Sequence, residues 1–98
     1  MDCNQLVISG TISEVGTMRY TPAGVAVAEL RISHVSRQME AGKPRRVECE
    51  VSVVALAQMA EIVARTPPGT MVKLAGFMAK KSRMSTQLVL HVNQIDFI

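Results

Sequence analysis

Ninety-eight residues, 48% of them hydrophobic and 19% charged with a formal net charge of +3, amount to one small domain. That balance excludes a disordered chain, because the apolar residues suffice for a core, and it leaves no material for a second core. No apolar run approaches the roughly 18 residues of a membrane span, and Asp2 with no basic residue beside it does not open an export signal, so the expected location is cytoplasmic.

From Asn4 to Val15, Leu6, Ile8, Gly10 and Ile12 share one face while Val7, Ser9, Thr11 and Ser13 share the other, the period-2 pattern of a half-buried strand. Gly10 interrupts it, which predicts a bulge or bend that lets one strand serve two sheets. Gly16 to Gly24, punctuated by Pro22, reads as a loop or hairpin. A second strand covers Val25 to Val35, with Ala26, Ala28, Leu30 and Ile32 inward and Val25, Val27, Glu29, Arg31 and Ser33 outward. Polar Ser36 to Arg46, holding Gly42 and Pro44, reads as a long hairpin loop. In a third strand Val47, Cys49, Val51 and Val53 alternate with Glu48, Glu50 and Ser52, which turns Cys49 inward.

The period changes between Ala55 and Arg65, where Leu56, Met59, Ala60 and Val63 recur at helical spacing. This helix has no Ser, Thr, Asp or Asn to cap its start, and Pro67, Pro68 and Gly69 end it. A fourth strand, Met71 to Ala79, points Val72, Leu74 and Met78 inward. The last strand points Leu88, Leu90 and Val92 inward, then slips around Asn93 and Gln94 so that Ile95 and Phe97 take over the buried side. Phe97 is expected to close the barrel, whereas Phe77 fits either side. Five strands with one short helix between the third and fourth is the order of the all-β OB fold, a partly open Greek-key barrel. Nucleic acid lies on that fold across strands 2 and 3 and between the first and last hairpin loops.

Two basic clusters fall there. Lys80, Lys81 and Arg83, with Ser82, Ser85 and Thr86 beside them, face no acid in the last hairpin, a composition suited to phosphate contacts. Arg37, Lys43, Arg45 and Arg46 face Glu40 in the hairpin between strands 2 and 3 and extend the same positive track, with Glu48 and Glu50 close enough to screen part of it. Both clusters also have the plainer reading of solvated hairpins. Aromatic platforms are scarce: there is no Trp, and Tyr20, beside Arg19 and the Pro22 turn, is the one candidate for exposed stacking. Single-stranded nucleic-acid binding is therefore expected to be modest and strongly salt-dependent.

Enzymatic chemistry finds no support. His34 and His91 stand on strands without a carboxylate or thiol at ligand spacing, so no metal is expected. Cys3 and Cys49 are too few and too ill-spaced for a zinc site or disulfide framework, and Cys49 lies mid-strand rather than at a helix N-terminus. No glycine-rich phosphate loop or paired catalytic carboxylates occur, and no cofactor is expected.

Asn4 to Ile12 (NQLVISGTI), the loop Arg19-Tyr20-Thr21-Pro22-Ala23-Gly24, Gly76 to Arg83 (GFMAKKSR) and Leu88 to Ile95 (LVLHVNQI) together resemble the PriB family, primosomal replication protein N, over essentially the whole chain. The Arg-Tyr-x-Pro-x-Gly loop and five-strand frame are also similar to bacterial single-stranded DNA-binding protein. That wider protein continues into a long disordered region ending in an acidic peptide; a chain ending at Ile98 is expected of the primosomal branch. The resemblance implies a homodimer acting in DNA replication restart, binding single-stranded DNA in the primosome and bridging the PriA helicase and DnaT alongside single-stranded DNA-binding protein, without catalysis. It implies that Lys80, Lys81 and Arg83 match the family's DNA-contacting hairpin. Lys43 and Glu48 stand about where other members carry stacking aromatics, a departure that shifts weight toward protein contacts. First strands of two copies are expected to pair edge to edge, covering Val7, Val25 and Val27. The alternatives are an OB-fold protein-interaction module with incidental DNA contact, or a general single-stranded DNA- or RNA-binding protein.

Overall fold

The computed structural model describes residues 2–98 and turns the apolar alternation into six strands and one helix. These are β1 (Leu6–Val15), β2 (Arg19–Tyr20), β3 (Ala26–Glu40), β4 (Lys43–Leu56), α1 (Gln58–Ala64), β5 (Met71–Lys80) and β6 (Leu88–Phe97). The five expected strands are β1, β3, β4, β5 and β6, while β2 adds two residues along Ala26 and Val27. The strands follow the order β1-β5-β6-β4-β3, and β3 returns to pair with β1, so the sheet closes into the barrel of an OB fold. Among the described strands only β4 and β6 run parallel, over Val53–Ala55 and Leu90–Val92. Among the described residues no helix is long and apolar enough to cross a membrane.

Strand β1 serves two partners, β5 through Leu6–Thr11 and β3 through Thr11–Val15. The register shift that permits this lies between Ile12 and Glu14, three residues beyond the glycine expected to carry it. Gly10 instead allows close approach, since a Cβ there would meet the Ser33 carbonyl oxygen at 2.6 Å. The β3-facing edge of Leu6–Gly10 carries no strand partner, although His34 Nδ1 donates to the Ser9 carbonyl at 2.7 Å.

Ile12, Ala28, Leu30, Ile32, Val53, Ala55, Val72, Leu74, Leu90 and Val92 fill the barrel, and burying each large aliphatic side chain contributes about 1.5–3 kcal/mol. The seven-residue helix is too short to persist alone and has no side-chain cap. Ala60 and Val63, both buried, hold it against the barrel.

Several sequence expectations are corrected. Ser36 to Arg46 is not a loop: β3 and β4 stay paired out to Glu40 and Lys43 around a two-residue turn. Its central residues Ala41 and Gly42 have φ of 53° and 78°, the positive pair of a type I′ hairpin. This ribbon outruns the barrel, because β1 leaves β3 at Ser33 and β6 meets β4 only from Val53. A position that alternation turns inward has no core to enter there, which is why Cys49 is exposed. Val27 is buried, flanked by Arg19 of β2 and Leu56 of β4, and it covers no dimer surface. Leu56 ends β4 rather than joining the helix and is exposed. At the strand ends Leu88 and Phe97 are both 57% exposed, so neither closes the barrel; Val89 is buried in place of Leu88.

Candidate nucleic-acid interface

Alternation about the buried Ala28, Leu30 and Ile32 sets Glu29, Arg31, Ser33, Val35 and Arg37 on the outer face of β3. The register places Val54, Ser52, Glu50, Glu48 and Arg46 opposite them on β4. This face, the one on which an OB fold lays its ligand, carries both signs of charge in pairs. Arg19 donates to Glu29 at 2.8 Å, Arg46 lies 2.8 Å from Glu48, and Arg31 lies 3.8 Å from Glu50. Each of these side chains is 42% exposed or more, so the pairs are solvated and each is worth about 0–1 kcal/mol.

The ribbon cluster does not form one patch. Arg37 and Arg46 stand opposite one another on the outer face, whereas Lys43 and Arg45 project from the other face beside Glu40 and Gln38. Arg45 is tied to Glu40 at 3.1 Å, which leaves Arg37 and Lys43 as the ribbon's cations without an ion pair among the described residues. Arg37 lies six residues beyond Arg31 along β3, about 20 Å away.

The last hairpin differs. Lys80 ends β5, and the seven residues Lys81–Gln87 connect it to β6, closed by the Lys81 N–H donating to the Gln87 carbonyl at 2.9 Å. Lys80, Lys81 and Arg83 are exposed and make no ion pair among the described residues. Lys81 also reaches a cleft of about 160 Å³ with Glu14, Glu29, Arg31, Ser52 and Val89 in its lining. The loop thereby meets the outer face of β3 and β4 near Arg19, which is held on Glu29. Tyr20, beside Arg19, is 64% exposed and available for stacking.

Sequence reasoning left Phe77 unplaced and gave His91 no role. The two face each other across β5 and β6 and stack with ring centroids 5.2 Å apart and an interplanar angle of 5°. A second cleft opens beside Phe77, lined by Asn4, Gln5, Val7, Ala75, Gly76, Asn93 and Gln94 among others.

Comparison with known proteins agrees with this geometry. Residues 4–94 match the model of a family described as "another single-strand binding protein family". The replication restart protein PriB of Nitrosomonas europaea is 50% identical over 95 residues, covering 97% of this chain and 88% of that protein. The solved structure of PriB from Ralstonia solanacearum superposes with a TM-score of 0.90 at 33% identity, over 99% of this chain and 100% of that one. The single-stranded DNA-binding protein of Thermus aquaticus shares the fold, with a TM-score of 0.78 at 23% identity over 98% of this chain and 50% of its own. A closed five-strand barrel with a helix before β5, matched along nearly its whole length by proteins of one name, places this chain in the PriB family of single-strand-binding-type OB-fold proteins.

Proposed function

We propose that this protein is a non-enzymatic, cytoplasmic accessory factor of replication restart that binds single-stranded DNA as a homodimer and bridges it to the PriA helicase and DnaT. One observation carries the DNA assignment: Lys80, Lys81 and Arg83 make no ion pair among the described residues, whereas Arg19, Arg31 and Arg46 beside the β3–β4 face are each matched by a glutamate. Free cations attract a phosphate backbone by releasing its counterions; cations already matched to a carboxylate contribute less. The backbone edge of β1 from Leu6 to Gly10, which has no strand partner on the β3 side among the described residues, supports pairing with the first strand of a second copy. Replacing Lys80, Lys81 and Arg83 by alanine should reduce the salt slope of oligo-dT binding by about 2, at roughly 0.7 per phosphate. Fluorescence anisotropy at two salt concentrations measures this, and an unchanged slope removes the loop from the site.

The glutamates of the outer face favour a second reading, a protein-interaction module with incidental DNA contact. Capture of PriA by the immobilised protein separates the two: the first reading requires that single-stranded DNA strengthen the complex, the second that it make no difference.

A further inference from the structure

The cleft beside Phe77 has the chemistry of a base-stacking slot. It measures about 340 Å³, inside the range of roughly 300–1,000 Å³ typical of small-ligand sites. Its floor, Ala75 and Gly76, is low because these side chains are small or absent, and at Gly76 a Cβ would meet the His91 carbonyl. Phe77 forms one wall, 42% exposed and stacked against His91, which does not line the cleft. The remaining lining is apolar or carboxamide, with no carboxylate. Asn4 spends its amide on the Met78 backbone, donating to its carbonyl at 2.8 Å and accepting from its N–H at 2.9 Å. Gln94 donates to Asp96 at 3.3 Å and keeps its oxygen free, while Gln5 and Asn93 make no side-chain hydrogen bond among the described residues. Amides that both donate and accept suit the edges of a nucleobase, which also does both.

Position ties this slot to the basic hairpin. Val54 lines the cleft that Lys81 reaches, Phe77 lines the amide cleft, and both pair in register with His91. Val54 and Phe77, each at the edge of its cleft, thus stand at opposite ends of one cross-strand row, two strand spacings or about 10 Å apart. We infer that a nucleobase of single-stranded DNA held by Lys80, Lys81 and Arg83 enters this cleft, extending the His91–Phe77 stack while Gln5, Asn93 and Gln94 contact its edge. This rests on the DNA-binding reading above and gives it a stacking site, displaced from the β3–β4 face to β5 and β6.

Phe77→Leu keeps an apolar side chain and loses the π face. Stacking worth about 1–3 kcal/mol per base predicts that its oligo-dT affinity falls at least about fivefold, with the salt slope unchanged because no phosphate contact is lost. Gln5→Ala, on an exposed residue outside the strands, supplies a second variant whose fold is not at stake and should weaken binding about twofold or more. On the unaltered protein, photo-cross-linking of oligo-dT bearing 5-iodouracil should join the base to the peptide containing Phe77. Binding unchanged in both variants, or cross-links confined to other strands, overturns the slot. If the loop triple variant still lowers the salt slope in that case, DNA binding itself survives. Loss of partner capture with DNA affinity intact would overturn the slot too, assigning the face to a protein.

Discussion

Exchanging Glu48 and Glu50 for glutamine tests whether DNA crosses the β3–β4 face. Glu48 lies 2.8 Å from Arg46 and Glu50 lies 3.8 Å from Arg31, and the two carboxylate side chains are 59% and 57% exposed. Pairs this solvated are worth about 0–1 kcal/mol each, so the double variant should fold with little loss of stability. A phosphate laid about 6 Å from one of these carboxylates meets roughly 0.7 kcal/mol of repulsion in water, which screening at physiological salt cuts to about half. Removing both repulsions is worth about 0.7 kcal/mol, close to threefold in Kd. Arg46 and Arg31, once released, are available to phosphates and would steepen the salt slope by up to about 1.4. Expected, then, is an affinity gain of about threefold to tenfold near 0.1 M salt together with a steeper slope, read by anisotropy across a salt series. A folded variant with the wild-type Kd and slope would refute the reasoning, since it would show that no phosphate passes near these acids.

Ala41→Asn should raise Tm by about 4 °C, because Ala41 holds φ 53° in a turn type that favours Asn-Gly; no rise in a thermal melt would mean that the ribbon frays independently of the barrel. Gly76→Ala should cost about 3 kcal/mol or more, since the new Cβ would run into the His91 carbonyl oxygen; denaturant titration checks it, and a loss under about 1 kcal/mol would refute the close approach. Tyr20→Ala should weaken oligo-dT binding about fivefold without changing the salt slope, and an unaltered Kd would remove Tyr20 from the site.

The barrel was legible wherever a strand has one buried and one wet face. Ile12, Leu30, Ile32, Val53, Val72, Leu74 and Leu90 all announce themselves by alternation and are buried. Alternation fails where a strand leaves the core. Beyond Ser33 the ribbon has no barrel core to face, so Ser36 to Arg46 carry no apolar period, and the same polarity that suggested a loop is what a solvent-bathed ladder requires. The candidate site was legible in part. An acid-free run marked Lys80, Lys81 and Arg83, but the pairing that splits Arg37 and Arg46 from Lys43 and Arg45 depends on a register that composition does not carry. Phe77 shows the limit most clearly. Extending the register of Leu74 with Ile95 without interruption would set Phe77 opposite Val92; the one-residue shift between Ala75 and Gly76 sets it opposite His91 instead and creates the stack. The sequence marks a slip near Asn93, yet which residues it brings together is a property of the folded pair.

Charge pairing on the outer face also bears on the proposed bridging of a nucleic acid to protein partners. Were Arg19, Arg31 and Arg46 unmatched, they would join the hairpin lysines in a field that binds any polyanion tightly along its length. Matched to Glu29, Glu50 and Glu48, they leave a face that is near neutral, hydrated and supplied with both donors and acceptors, the composition of a transient protein interface rather than of a nucleic-acid clamp. DNA held chiefly at the hairpin would then leave much of that face open to a partner while staying labile enough to be handed on. The same glutamates that are expected to limit DNA affinity would in this way supply the complementary charges by which a partner protein is chosen, because opposite-sign pairs across an interface select register and exclude mismatched surfaces.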